Sequence, residues 1–160
     1  MRVVPDRILV RAPNWLGDVV LSLAAVRDLR RNFPESHIEV LARAAVGPLY
    51  GAVAEVDAIR ESGGVRADAR AISGAFDAGV LLTNSFGSAL ALRLAAIPER
   101  WGYATDGRGP LLTRRARVRP AVRGRSQVYY YRAMLAGVGL RVTADPETGL
   151  RPPADWLRAP

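Results

Sequence analysis

The sequence contains no lysine, no cysteine and a single histidine, His37. A chain without cysteine forms neither a disulfide nor a thiolate zinc site, and one histidine is too few for a histidine-based metal centre. We therefore expect no bound metal. All 23 cationic residues are arginine, and with 15 acidic residues the formal net charge is +8. Because an arginine-rich composition without lysine is what a GC-rich genome produces, we interpret this charge mainly as solvated surface.

Long apolar runs are also absent. A membrane-spanning helix needs roughly 20 successive apolar residues, and no segment of the sequence approaches this. The first residues also lack the apolar stretch of a signal peptide. We therefore expect a soluble, cytoplasmic protein. With 160 residues and 49% hydrophobic composition, the chain is long enough to form one packed domain.

Short apolar runs alternate with helical patterns along the first 103 residues. Within residues 16–33 the apolar side chains recur every three or four positions, which places them on one face of a helix that stops at Pro34. The predicted strands are residues 8–10, 37–41, 56–59, 78–82 and 100–103. The predicted helices are residues 16–33, 46–53, 65–72, 85–95 and 127–135. This alternation predicts an α/β fold: a Rossmann-like parallel sheet with helices on both faces.

Two segments lack the alternating pattern. Residues 104–125 combine glycine, proline and threonine with seven arginines, which predicts a long loop rather than a core element. Residues 143–160 have the composition of a linker, with four prolines. We predict one domain over residues 1–142, followed by a linker over residues 143–160 toward a donor-binding domain that this chain lacks.

Polar residues follow three of the predicted strands. In an open parallel sheet, ligands bind at the carboxyl ends of the strands, so these residues are expected to converge on one rim. The candidate site residues in these three loops are Asn14, Gly17 and Asp18, then Asn84 and Ser85, then Tyr103 and Arg108. Large apolar side chains at strand ends cover the sheet, so we interpret Trp15 and Trp101 as packing residues.

Asp18 has two interpretations. It is a capping or first-turn acid that interacts with the helix dipole, or it is a general base aimed into the crevice. The spacing alone does not decide between them. The glycines Gly107 and Gly109 lie far from the first strand, and no GxGxxG turn directly follows that strand. A dinucleotide-binding turn is therefore missing where a dehydrogenase needs it.

Five segments, in order, are similar to the heptosyltransferase II enzymes of glycosyltransferase family nine. They read ILVRAPNWLGDVVLSLAAVRDLRRNFP from Ile8, VLAR from Val40, LLTNSFGSAL from Leu81, IPERWGYATDGRGPLLT from Ile97 and QVYYYRAMLAGVGL from Gln127. The resemblance implies the amino-terminal, acceptor-side half of a GT-B fold. It also implies transfer of heptose from ADP-heptose to the lipopolysaccharide inner core, with inversion at the anomeric carbon.

The resemblance also implies roles for residues and partners. Asp18 matches the family's general base, and Asn14, Gly17, Asn84, Ser85, Tyr103 and Arg108 match segments expected to contact the acceptor, a Kdo- and heptose-bearing lipid A. Arg108 is expected to meet acceptor phosphates or carboxylates. ADP-heptose is a substrate bound mainly by another domain, and no cofactor is expected. Peripheral contact with the inner face of the cytoplasmic membrane is expected as well.

The chain departs from the family pattern at residues 125–129. There it reads RSQVY, where the family usually has a histidine before the Gln-Val pair and a glutamate after it. This departure puts any role of those two polar groups in doubt.

Two other functions stay open. The chain could be a non-catalytic acceptor-binding or degenerate fragment that binds anionic glycolipid, and we expect negligible transfer by this polypeptide alone. Nucleic-acid binding through residues 108–125 is the other alternative. We expect no nucleic-acid partner, because that segment contains no aromatic residue on which bases could stack.

Overall fold

The computed structural model describes residues 4–143, so all but the first residue of the predicted linker lies outside the described residues. The strands are β1 (Arg7–Arg11), β2 (His37–Ala42), β3 (Ala58–Glu61), β4 (Ala78–Leu81), β5 (Glu99–Tyr103) and β6 (Arg114–Ala116). The helices are α1 (Leu16–Asn32), α2 (Gly47–Tyr50), α3 (Val65–Ile72), α4 (Phe86–Leu94) and α5 (Gln127–Gly137). Every predicted strand and helix is present, with ends that differ by at most three residues.

The strands form one six-stranded, entirely parallel sheet in the order β3-β2-β1-β4-β5-β6. Val10 of β1 lies in register with Val40 of β2 on one side and Val80 of β4 on the other. The order reverses between β1 and β4: β2 and β3 follow on one side of β1, and β4, β5 and β6 follow on its other side. At such a reversal the following loops diverge and leave a crevice at the carboxyl edge.

Helices cover both faces of the sheet, which confirms the predicted fold class. On one face, α1 and α5 pack over Ile8 and Val10, and on the other, α3 and α4 pack over Leu9 and Leu41. Ile8, Leu9 and Val10 are all completely or almost completely buried, as expected for a strand covered on both sides. No helix within residues 4–143 is both long and apolar enough to cross a bilayer.

The prediction of a long loop over residues 104–125 is wrong. The segment contains β6, which pairs with β5, and two short 3-10 turns, Gly109–Leu111 and Pro120–Val122. Parallel pairing uses only backbone groups, for example the bond from the Ala104 amide to the Ala116 carbonyl at 2.9 Å. An edge strand of three residues therefore needs no apolar periodicity and tolerates arginine on its outer side.

A buried ion pair joins α1 to α5. Arg132 Nε donates to Asp28 Oδ2 at 2.8 Å, and their side chains are 5% and 3% exposed. Thr143 completes the cluster, because its hydroxyl donates to Asp28 Oδ1 at 2.7 Å and its carbonyl accepts from Arg132. The pair therefore also fixes the chain at residue 143 against the first helix.

Candidate functional site

A crevice of about 430 Å³ opens where the strand order reverses. Three elements line it: the loop after β1 with the first turn of α1, the loop after β4, and the start of α5. The lining residues are Pro13, Asn14, Trp15, Asp18, Leu82, Thr83, Asn84, Gln127, Tyr130 and Tyr131. Asp18, Asn14 and Asn84 were predicted from the sequence, and the fold brings these three together.

Asp18 lies in the first turn of α1, partly exposed to the crevice. The N-cap position is Trp15, so Asp18 is not the capping residue. Within residues 4–143 its carboxylate has no hydrogen-bond or salt-bridge partner, whereas a capping carboxylate would be engaged by backbone N–H groups. The carboxylate is therefore free to accept a proton or a hydroxyl hydrogen bond from a ligand in the crevice.

Asn84 is held at both ends of its carboxamide. Its Nδ2 donates to the Tyr130 hydroxyl at 2.6 Å, and its Oδ1 accepts from Arg108 Nη2 at 3.3 Å. Ser85 has a different position, because it is the N-cap of α4 and its Oγ accepts from the Ser88 amide at 3.3 Å. Gly17 is exposed on the first turn of α1 and does not line the crevice.

Arg108 and Tyr103 lie behind the crevice wall. The guanidinium of Arg108 is fully buried and donates to the backbone carbonyls of Tyr103 and Thr83. Tyr103 is 2% exposed, and its hydroxyl donates to the Tyr130 carbonyl at 2.7 Å. We therefore revise the expected acceptor contact of these two residues: they stabilise the loops that carry the crevice. A turn with positive φ at Asp106 and Gly107, 52° and 71°, folds Arg108 back onto β5.

The residues that α5 contributes were missed in the sequence. Burial raises the pKa of Tyr131, and the nearby negative charge of Asp18 raises it further. Burial also raises the pKa of Tyr130, so both phenols are neutral at physiological pH. The sequence did contain a signal for a tyrosine at this site, the three successive tyrosines of α5. Successive side chains on a helix point in different directions, so the three cannot all be buried on one side.

The two tryptophans near the strand ends differ. Trp101 is 1% exposed and packs in the core, as predicted, but Trp15 is 75% exposed at the crevice rim, so its assignment as a packing residue is wrong. Leu16 and Val20 are also exposed, at 59% and 51%. The first turns of α1 therefore present an apolar edge beside Asp18. Among residues 4–143 no cluster of histidine and carboxylate side chains could hold a metal ion.

Sequence comparison finds relatives among curated proteins. Lipopolysaccharide heptosyltransferase 2 of Escherichia coli K12 is 34% identical over 116 residues, which are 66% of this chain and 33% of that one. Lipooligosaccharide heptosyltransferase 2 of Haemophilus ducreyi is 31% identical over 115 residues, with the same coverage. The chain is thus similar to one part of the lipopolysaccharide heptosyltransferases over 66% of its length. No protein-family profile matches it.

Heptosyltransferase structures share the fold. The Escherichia coli ADP-heptose lipopolysaccharide heptosyltransferase II superposes with a TM-score of 0.69 at 24% identity, covering 96% of this chain and 47% of that chain. A glycosyltransferase of family 9 from Veillonella parvula superposes with a TM-score of 0.72 at 21% identity, covering 85% and 42%. The six-stranded sheet thus matches GT-B heptosyltransferases, and this chain spans a third of the length of its curated heptosyltransferase relatives.

Proposed function

We propose that the crevice is the acceptor side of an inverting heptosyltransferase, with Asp18 as the general base. The observation that carries the proposal is the unengaged Asp18 carboxylate at the reversal of the strand order, in a chain that is similar to heptosyltransferases over 66% of its length. Asn14, Asn84 and the Tyr130 hydroxyl surround it with polar groups that orient a sugar hydroxyl.

In the proposed reaction, the acceptor hydroxyl attacks the anomeric carbon of the heptose opposite the departing ADP. A carbon–oxygen bond to the acceptor forms while the bond to the β-phosphate oxygen breaks, and that oxygen keeps the electron pair. The hydroxyl proton passes to Asp18 as the new bond forms. A base in this position contributes typically 10²–10⁴-fold to the rate, and the rest of catalysis depends on holding donor and acceptor together.

The ADP-heptose donor is proposed to bind mainly to residues other than those described. The chain spans 33% of its relatives' length, and the crevice residues include no arginine or glycine-rich turn to hold a pyrophosphate. We therefore expect transfer only when a donor-binding domain is supplied.

The test is a transfer assay with ADP-heptose and a Kdo2-lipid A acceptor that bears the first heptose. The chain is assayed alone, and with the donor-binding domain of a related heptosyltransferase added in trans. We expect product only in the second mixture. Acceptor binding without turnover in either mixture would favour the alternative of a non-catalytic binding protein for anionic glycolipid, and absence of acceptor binding would refute both.

We also propose that this part of the protein contacts the anionic inner face of the cytoplasmic membrane, where the acceptor's lipid would lie. A second groove, of about 640 Å³, runs between the outer side of β6 and α5. Arg115, Arg117 and Arg119 line it at alternate positions, so their side chains share one side of an extended segment. Tyr129 and Val142 add apolar surface, and none of the lining residues is acidic.

Replacing these three arginines by glutamine is expected to weaken binding to vesicles that contain phosphatidylglycerol by about 100-fold. Each arginine near an anionic surface contributes about 1 kcal/mol, and 1.4 kcal/mol corresponds to a factor of ten. Vesicle co-sedimentation at low and high salt measures the effect. The matched control replaces three exposed arginines on the opposite face of the sheet, Arg66, Arg70 and Arg93, and should bind like the unmodified chain. Equal losses in both variants would contradict a specific contact surface.

A further inference from the structure

A third cavity, of about 240 Å³, lies on the other side of Asn14 from Asp18. It is formed by the carboxyl ends of β1 and β2 and by the starts of α3 and α4. Its lining residues are Arg11, Asn14, Arg43, Ser62, Gly64, Val65, Asp68, Ser85, Gly87 and Ser88. Asn14 is the one residue that lines both this cavity and the crevice, so the two adjoin at its side chain.

Arg11 is a buried cation without an ion pair. It is 6% exposed, and within residues 4–143 no carboxylate lies in salt-bridge contact with it. Its Nη1 donates to the Ala12 carbonyl at 2.7 Å, and its Nη2 donates to Asn14 Oδ1 at 3.2 Å. The Nε has no hydrogen-bond partner. Burial of a charge and a donor without a partner is costly, so native structures usually provide a compensating group.

Asp68 does not supply that group. Its Oδ2 accepts from the Ser62 hydroxyl at 2.7 Å, and its Oδ1 accepts from the Gly63 amide at 2.8 Å. These bonds hold the carboxylate against the loop that precedes α3. Burial lowers the pKa of Arg11, Asp68 opposes this at longer range, and the positive charge of exposed Arg43 lowers the pKa further. A second cation therefore faces the first across the cavity.

The remaining walls also favour a negative charge. Val65 begins α3 and Phe86 begins α4, and these two helix starts meet where Gly87 approaches Val65. A Cβ at Gly87 would lie 3.0 Å from Val65 Cγ2, so the close approach depends on glycine. The positive ends of two helix dipoles thus face a cavity that two arginines already line.

We propose that this cavity is a subsite for an oxyanion, the carboxylate or phosphate group of the ligand that occupies the crevice. Arg11 and Arg43 neutralise the anion, and the Ser88 side chain and the helix starts supply neutral donors. Asn14, fixed by Arg11 on one side, orients the segment of the ligand that joins the anion to the reacting hydroxyl near Asp18. The identification of that ligand as a glycosyl acceptor rests on the function proposed above, but the anion subsite does not.

The test is isothermal titration of the 160-residue chain with inorganic phosphate in one series and free Kdo, a sugar carboxylate, in another. We expect at least one of the two anions to bind. Arg11→Met and Arg43→Gln are each expected to lower the affinity for that anion by tenfold or more. Arg70→Gln removes the same charge from the exposed end of α3 and should leave the affinity unchanged. Binding of phosphate alone would identify a phosphate subsite, and binding of Kdo alone a carboxylate subsite.

Arg43 is exposed, so Arg43→Gln keeps the test valid if Arg11→Met unfolds the chain. Failure of both anions to bind, or binding that is unchanged in Arg43→Gln and in any folded Arg11 variant, would overturn the subsite. Arg11-dependent binding together with no transfer even when the donor-binding domain is supplied would refute the proposed activity while keeping the subsite.

Discussion

Asp18→Asn is expected to lower the rate of heptosyl transfer by about 10²–10⁴-fold when a donor-binding domain is supplied. Asparagine keeps the size of the side chain but cannot take the hydroxyl proton. Because the carboxylate makes no hydrogen bond or ion pair within residues 4–143, its loss should leave the fold unchanged. Initial rates at saturating acceptor measure the effect, which should appear in kcat with little change in the acceptor KM.

The control for this variant is Asp106→Asn. Asp106 is exposed in the turn after β5 and has a φ of 52°, a conformation that asparagine also adopts readily. The same chemical change there should not alter the rate. A rise of the acceptor KM alone in Asp18→Asn would mean that Asp18 binds the acceptor and that another group removes the proton.

Asp28→Ala is expected to reduce the free energy of unfolding by about 3–5 kcal/mol, because it removes the Asp28 carboxylate from its buried ion pair with Arg132. This is a large share of the 5–15 kcal/mol that is typical of a domain. The variant also removes the Asp28 acceptor of the Thr143 hydroxyl, whereas the bonds from Arg31 to Thr143 and between Asn32 and Arg141 still attach this part of the chain to α1. Urea unfolding followed by circular dichroism measures the change.

Two comparison variants isolate the buried charge as the cause. Asp57→Ala breaks an ion pair in which Asp57 is 38% and Arg30 20% exposed, and it also removes the acceptor of the Ile38 amide. It should still cost less than Asp28→Ala, because water screens the pair with Arg30. Asp28→Leu combined with Arg132→Leu removes both charges and should be less destabilising than either single change. A double variant as unstable as the sum of its parts would contradict this account.

The fold was largely predictable because a doubly covered parallel sheet leaves a strong pattern. Continuous apolar runs at β1 and β4, and apolar spacing of three or four in α1, follow directly from which faces are buried. Strand β6 leaves no such pattern, because it is short, lies at the sheet edge and is held by backbone bonds to β5. Its arginine-rich composition therefore resembled that of a loop.

The candidate site was predictable only in part. Topology places the loops after β1 and β4 together, so Asp18, Asn14 and Asn84 could be expected to converge. Whether a polar side chain faces the crevice or the protein depends on local loop geometry, which no periodicity encodes. For this reason Arg108, which was predicted to contact the acceptor, folds inward to backbone carbonyls, and Tyr130 of α5, which was not predicted as a site residue, lines the crevice.

The bonds at Asn84 have a consequence for the entropy of ligand binding. Immobilising a flexible side chain on binding typically costs about 0.5–1.5 kcal/mol. The carboxamide of Asn84 is already fixed by Arg108 and Tyr130 before any ligand arrives, and Arg108 is itself fixed by two carbonyls. This wall of the crevice therefore binds without losing rotamer freedom, whereas Trp15 across the rim, 75% exposed, still has that freedom to lose.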